Sequence, residues 1–100
     1  MNEKIVVDVD QELEDLMPLF METRQRDLAG LAAGLAMNDM VALQVIGHGM
    51  KGSGGAFGFP LITEMGAVIE TSALLNDVGT VEKQYLKLLD YLAKVHINYV

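Results

Sequence analysis

A histidine and a lysine stand one helical turn apart inside the glycine-rich stretch GHGMKGSGGAFG, residues 47–58. An imidazole in water is substantially unprotonated near neutral pH, so a ring nitrogen of His48 can act as a nucleophile. At the i+3 position, Lys51 brings an ammonium group to the same face of a helix. Since a phosphoryl group on the imidazole would be negatively charged, the two residues fit a site that carries phosphoryl on His48.

The helical phase of residues 39–57, which we predict to form one helix, directs this histidine away from the core. An α-helix turns by about 100° per residue. The side opposite the histidine carries large apolar residues, which are Leu43, Ile46, Met50 and Phe57. The histidine's own side carries Val41, Gln44, Val45, Lys51, Gly52 and Gly55. We therefore expect the imidazole to be exposed to solvent.

The glycines of this stretch are unfavourable for a helix. A glycine in a helix interior costs roughly 0.5 to 1 kcal/mol relative to alanine. Five of them could be interior, namely Gly47, Gly49, Gly52, Gly54 and Gly55. We interpret them as clearing room for another surface to approach the imidazole. Because the chain shows no nucleotide loop and no second acid or base of its own, the stretch is typical of half an active site that a partner completes.

The first half of the chain predicts two helices before the glycine-rich stretch. Asp10 can cap a short N-terminal helix that begins at the next residue. Pro18 disfavours helical dihedrals at the preceding residue, so we expect a break there and a second helix over residues 19–37. Asn38 can take the left-handed conformation that ends this helix, and Asp39 can cap the helix that contains the histidine.

The second half predicts two further helices. Pro60 fits the first turn of one of them, and the turn NDVGT at residues 76–80 separates it from a final helix that runs to about Asn98. In the first of these helices, a single face carries Leu61, Met65, Val68, Ser72 and Leu75. Strand-like alternation is weak and confined to residues 4–7. The predicted fold is a single all-α domain over residues 1–100, an antiparallel four-helix bundle with an additional short N-terminal helix.

Composition limits the classes of partner and the compartment. The chain has 100 residues, a net charge of -7 and no cysteine. The negative charge disfavours nucleic acid and anionic membrane surfaces as partners, and the lack of cysteine excludes disulfides and thiolate zinc sites. No apolar run approaches the roughly 18 residues of a membrane helix. Together with the lack of an apolar signal segment, this predicts a cytoplasmic protein, which we expect to be monomeric.

The sequence HGMKGSGGAFGF, residues 48–59, resembles the histidine-containing phosphotransfer (HPt) family. The hallmark of that family is a histidine followed by two residues and then Lys-Gly-Ser, with a glycine-containing continuation. The resemblance extends over most of the chain. DLMPLFMETRQRDL before the motif and LITEMGAVIETSA after it are similar to the helices that flank the histidine in this family.

This resemblance implies a helical domain that takes a phosphoryl group from a receiver aspartate and passes it to another receiver. It implies that His48 accepts the phosphoryl group and that Lys51 is its electrostatic neighbour, while Gly52, Ser53 and Gly55 belong to the docking surface. The implied partners are response-regulator receiver domains, and a hybrid histidine kinase is a further candidate. No cofactor is expected on this chain, since the magnesium would belong to the receiver. The protein would then be a covalent phosphoryl carrier without kinase activity of its own.

The role of the residue beside the histidine stays open at the sequence level. Some members of the family place a glutamine on the following helix close to the histidine, and the equivalent position here is Glu70. A carboxylate would orient a neutral imidazole but repel a phosphoryl group. Gln44, one turn before the histidine, is the alternative, and we place it in the partner-binding surface.

Other interpretations of the same residues carry less weight. The stretch KGSGG has the wrong residue order for a phosphate loop and no strand before it. A metal site would need more ligands than His48 and Gln44, with His96 remote in sequence. The Ser53 hydroxyl could be structural, and Arg24 and Arg26 are expected on a solvated face. The serious alternative is a non-catalytic helical adaptor that binds a signalling partner through the glycine-cleared face.

Overall fold

A computed structural model, which describes residues 3–100, shows a bundle of four α-helices. In chain order the elements are β1 (Ile5–Val9), a first 3-10 helix (Gln11–Leu16), α1 (Met17–Met37), α2 (Met40–Ser53), a second 3-10 helix (Gly55–Phe57), α3 (Pro60–Leu74), α4 (Val78–Lys94) and β2 (Val95–Tyr99). The prediction of a mostly helical four-helix fold is confirmed. The predicted short N-terminal helix is present in 3-10 rather than α conformation.

The helix ends follow the capping signals of the sequence. Asp10 accepts a hydrogen bond from the backbone N–H of Glu12 at the start of the first 3-10 helix. Pro18 lies in the first turn of α1, where a missing N–H is tolerated, so this helix begins two residues earlier than predicted. Asn38 has a left-handed backbone with φ of 53°, and Asp39 caps α2, as predicted.

The final helix is shorter than predicted, because the chain after Lys94 becomes a strand. The strand β2 pairs in parallel with β1, with Ile5 opposite Val95 and Val9 opposite Tyr99. The predicted helical bundle is therefore accompanied by a small two-stranded sheet, which the sequence pattern does not predict. His96, which falls within the predicted final helix, lies exposed in this strand. The physical reason is that both segments are rich in β-branched residues, which pack well on a pleated surface.

The core lies between the four helices. α2 packs against α1 and α3, and α4 packs against α1 and α3. The largest fully buried side chains are Phe59, Met17, Leu31, Leu43, Met50, Ile62, Ile69, Leu88, Val9 and Val81. The face that the sequence singles out in the predicted helix after Pro60 is only partly buried, since Met65 and Ser72 are buried but Leu61, Val68 and Leu75 are exposed. The buried side of α3 also includes Ile62 and Ile69. The reason is a close crossing with α2, which turns Gly66 and its neighbours inward.

Candidate functional site

His48 lies on the solvent side of α2, as its helical phase predicts. The side chain is 75% exposed. On the opposite side of the same helix, Leu43 and Met50 are fully buried. Burial of these two side chains fixes the rotation of the helix about its axis, so the imidazole is held outward without contributing to the core.

Glu70 on α3 holds the imidazole and the neighbouring ammonium together. Its Oε2 atom lies 2.7 Å from Nδ1 of His48, and its Oε1 atom lies 3.3 Å from Nζ of Lys51. The hydrogen bond with His48 lowers the pKa of Glu70 below its ordinary value, and Lys51 acts in the same direction against the opposing effect of desolvation. The carboxylate is therefore ionised at neutral pH.

This hydrogen bond selects one form of the neutral imidazole. An ionised carboxylate can only accept hydrogen bonds, so Nδ1 carries the proton and donates a hydrogen bond to Glu70. In a neutral ring the other nitrogen, Nε2, is then unprotonated. Because the side chain is largely exposed, the lone pair of Nε2 is available to a molecule that approaches from solvent. Sequence reasoning left Glu70 without a role, since its position relative to His48 depends on how two helices cross.

The glycines around the histidine divide into two kinds. A Cβ atom at Gly47 would lie 2.7 Å from the backbone N of Glu70, and one at Gly54 would lie 2.6 Å from the backbone N of Thr63. These two glycines serve packing, which corrects the interpretation of all five as clearance for a partner. Cβ atoms at Gly49 and Gly52 would meet nothing within 4 Å. The clearance interpretation therefore applies to these exposed positions.

The helix that carries the histidine ends at Ser53, before the predicted end at residue 57. Gly54 packs against the start of α3 and accepts a hydrogen bond from the backbone N–H of Phe59, which redirects the chain. Thr63 stabilises this end, since its hydroxyl donates to the carbonyl of Lys51 and accepts from the N–H of Gly55. Gly55 consequently lies in the second 3-10 helix, where a Cβ would make an ordinary contact of 3.6 Å with Thr63.

The hydroxyl of the half-buried Ser53 is engaged by hydrogen bonds within the protein, and it donates to the carbonyl oxygen of Gly49 at 2.9 Å. Arg24 on α1 donates from Nη1 to Ser53 Oγ at 2.7 Å and from Nε to Asp27 at 2.8 Å. The guanidinium also lies over the ring of Phe20, 4.7 Å from its centroid. Only 4% of Arg24 is exposed, so the expectation of a solvated arginine is wrong. Its charge is tolerated inside because Asp27 and Ser53 replace the water it loses.

Gln44 lies one turn before the histidine and is half-buried. Within residues 3–100, the side-chain hydrogen bond to the imidazole comes from Glu70, so Gln44 does not take over that position. Val41 and Val45 are exposed on the same face of α2. Gly49 and Gly52 carry no side chains. Together with the two valines they make the surface beside the histidine apolar and free of large protruding groups.

The described residues offer neither a metal cluster nor a membrane-spanning helix. Among residues 3–100, no group of three or more His, Cys, Asp or Glu side chains is placed to hold a metal ion. In the same part of the chain, no helix has the length and apolar character needed to cross a membrane.

Comparison with known proteins gives one match. The family model described as Hpt domain matches residues 15–96. This range covers most of the chain and includes the histidine, the lysine and the glutamate of the site. No curated protein and no solved structure matches the chain.

Proposed function

The chain belongs to the Hpt domain family and so has the general role of histidine phosphotransfer in phosphorelays; we propose that His48 is the residue that carries the phosphoryl group. One observation supports this assignment above the others. The imidazole is exposed, and its Nδ1 is hydrogen bonded to an ionised carboxylate, which leaves Nε2 free to react. A solvated surface histidine has no need of such a partner.

In the proposed reaction, Nε2 of His48 attacks the phosphorus of an aspartyl phosphate on a receiver domain. The N–P bond forms while the P–O bond to the receiver aspartate breaks, and the aspartate leaves as a carboxylate. The proton on Nδ1 stays in place, so no external base is required. The ring gains positive charge during the attack, and the Glu70 carboxylate stabilises that charge at a distance of 2.7 Å.

Lys51 has a complementary role in this proposal. Its ammonium lies on the same face as the imidazole and is about half exposed, so it can contact phosphoryl oxygens. Repulsion between Glu70 and the phosphoryl group is limited, because the carboxylate contacts the Nδ1 edge of the ring while the phosphoryl group is carried on Nε2. Lys51 further offsets the charge of Glu70, since it contacts the second carboxylate oxygen.

We propose response-regulator receiver domains as the donor and the acceptor, with a hybrid histidine kinase as a further candidate donor. Each receiver would bring its own aspartate and magnesium, and this chain would act as a monomeric cytoplasmic carrier without kinase activity. The proposed docking surface surrounds the histidine. Gly52 lies on this surface beside the imidazole, and Gln44 and Gly55 lie at its edges. Ser53 contributes by holding the end of α2 rather than by direct contact, because its hydroxyl is bound by Arg24.

The decisive experiment measures transfer from a phosphorylated receiver to this chain. We expect the wild-type protein to gain an acid-labile phosphoryl group and His48→Gln to gain none. The variant should keep its fold, with a free energy of unfolding within about 0.5 kcal/mol of wild type, because the side chain is outside the core and the glutamine amide can donate a hydrogen bond to Glu70 in place of the imidazole. Equal incorporation into both proteins would refute the assignment of His48. Binding of receivers without any incorporation would favour the adaptor function instead.

A further inference from the structure

The backbones of α2 and α3 touch where two glycines face each other. A Cβ atom added at Gly66 would overlap the backbone N of Lys51 and would lie 2.6 Å from the carbonyl oxygen of Gly47. A Cβ atom added at Gly47 would lie 2.9 Å from the carbonyl oxygen of Gly66. Real Cβ atoms essentially never lie within 3.0 Å of such neighbours, and ordinary contacts begin at 3.4 Å, so any other residue at either position would force the two helices apart.

The three polar residues of the site are fixed relative to this crossing. His48 directly follows Gly47, and Lys51 lies one turn further along the same helix. Glu70 lies one turn after Gly66 on the facing helix. The backbone N of Glu70 is itself only 2.7 Å from the position of a Cβ at Gly47. The separation of the helix backbones at the two glycines thus sets how far the carboxylate must reach.

The hydrogen bond of Glu70 has little tolerance for a longer reach. The Nδ1 to Oε2 distance is 2.7 Å, whereas such bonds weaken beyond about 3.2 Å. The contact of the same carboxylate with Lys51 is already long at 3.3 Å. To move a Cβ at Gly66 from 2.6 Å to ordinary contact at 3.4 Å from the carbonyl oxygen of Gly47, the helices would separate by about 0.8 Å. A separation of that size would lengthen the 2.7 Å hydrogen bond beyond about 3.2 Å and so break it.

We propose that Gly47 and Gly66 are positioning residues for phosphotransfer, because their backbone contact brings Glu70 close enough to hold the proton on Nδ1 of His48. This inference rests on the proposed function and adds a cause for the reactive form of the imidazole. A purely structural role would predict a loss of stability alone. The positioning role predicts in addition a change in the tautomer of His48 in the folded protein.

The chain offers a matched control for this distinction. Gly54, the residue that caps the C-terminal end of α2, makes an equally close contact with α3, since a Cβ there would lie 2.6 Å from the backbone N of Thr63. This contact is on the far side of Lys51 from the histidine, near the end of α2. Gly54→Ala should therefore cost stability as Gly66→Ala does, but it should leave the Glu70 hydrogen bond in place.

The experiment compares Gly66→Ala and Gly54→Ala by thermal unfolding, by imidazole ¹⁵N chemical shifts of unphosphorylated protein, and by transfer from a phosphorylated receiver. We expect both variants to unfold at lower temperature. Only Gly66→Ala should lose the preference for a protonated Nδ1, and its transfer rate should fall at least about tenfold relative to Gly54→Ala. A folded Gly66→Ala protein with the wild-type tautomer and rate would overturn the proposal.

A second variant decides the matter if Gly66→Ala does not fold. Glu70→Asp leaves the crossing intact and withdraws the carboxylate by one methylene. If the distance set by the glycines is critical, Glu70→Asp should lose the protonated Nδ1 and slow transfer at least about tenfold; wild-type behaviour would overturn the proposal. The tautomer measurement needs no phosphoryl group. Failure of wild-type protein to accept phosphoryl, with the expected tautomer changes present, would refute the proposed function but would still show that the two glycines position Glu70 against His48.

Discussion

Lys51 does not extend freely into solvent, because its Nζ lies 3.3 Å from Oε1 of Glu70. The ammonium is therefore held beside the imidazole before any phosphoryl group arrives. Part of the conformational entropy that a mobile lysine would lose on contact with phosphoryl oxygens has already been lost.

Replacing Lys51 with alanine should slow receiver-to-histidine transfer by about tenfold, equivalent to about 1.4 kcal/mol, because it removes a positioned charge from the phosphoryl site. The fold should be kept, since the side chain is about half exposed. The measurement is a single-turnover transfer assay. The control is Lys94→Ala, which removes an ion pair with Asp90 at the end of α4. Equal rates for both variants would make Lys51 an ordinary surface residue.

Glu70 should make stability depend on pH in a defined direction. Its pKa is lowered in the folded protein, mainly by the hydrogen bond with His48. A lowered pKa contributes stability that is present above the unfolded-state value and is lost as pH falls through the folded-state value. The stability difference between wild type and Glu70→Gln should therefore shrink as the pH is lowered from 7 to 3. Urea unfolding at several pH values measures it, and a constant or growing difference would contradict the assigned cause.

The same comparison removes the effects of other carboxyl groups. Burial raises the pKa of Asp27, and the hydrogen bonds with Thr80 lower the pKa of Asp77. Both groups are unchanged in Glu70→Gln, so their contributions cancel in the difference between the two proteins.

Gly52 should separate stability from function. A Cβ at this position meets nothing within 4 Å, so Gly52→Ala should raise stability by up to about 1 kcal/mol. Gly52→Gln should also fold, yet its side chain would stand where a receiver must align its aspartate with the imidazole. We expect transfer to fall at least about tenfold. Thermal unfolding and transfer are measured on the same protein, and normal transfer by a stable Gly52→Gln would refute the clearance role.

Gly47→Ala provides the contrasting case for these measurements. Its Cβ would meet the backbone of α3 at 2.7 Å, so we expect a loss of about 1 to 3 kcal/mol in stability. Comparable stability of Gly47→Ala and Gly52→Ala would show that the two glycines do not differ in kind.

Arg24 should be essential for stability although the sequence shows no sign of it. Arg24→Leu would leave Asp27 without its partner in a largely buried position, at a cost of about 2 kcal/mol or more. The matched control is Arg26→Leu, since Arg26 is exposed and pairs with Glu22 at the i,i+4 spacing; we expect a change of about 0.5 kcal/mol or less. Urea unfolding compares the two, and equal effects would argue against a structural role for the buried guanidinium.

The features that the sequence predicts correctly are local. The cap at Asp39 and the left-handed Asn38 depend on a few neighbouring residues, so pattern and propensity identify them. The outward direction of His48 likewise follows from the period of one helix. The partner Glu70 lies 22 residues away, and its distance from His48 depends on the crossing of two helices at Gly66. No pattern within one helix contains that information.

The burial of Arg24 and the strand β2 were missed for a related reason. An arginine next to polar residues normally lies on a solvated face, and only the position of Ser53 on another helix shows otherwise. The residues of β2 continue the apolar spacing of α4, so periodicity extends the helix. The pairing with β1 decides in favour of the strand, and it involves residues from the other end of the chain.

The parallel pairing of β1 with β2 also bears on the order of folding events. Asp8 and Asn98 are joined across this sheet by a hydrogen bond between residues 90 positions apart. In contrast, the contacts of α1 with α2 and of α2 with α3 join neighbours along the chain, which close short loops. Loop-closure entropy grows with the length of the loop, so the helical hairpins are favoured to form before the sheet. The two strands then close a bundle that already holds His48 and Glu70 together.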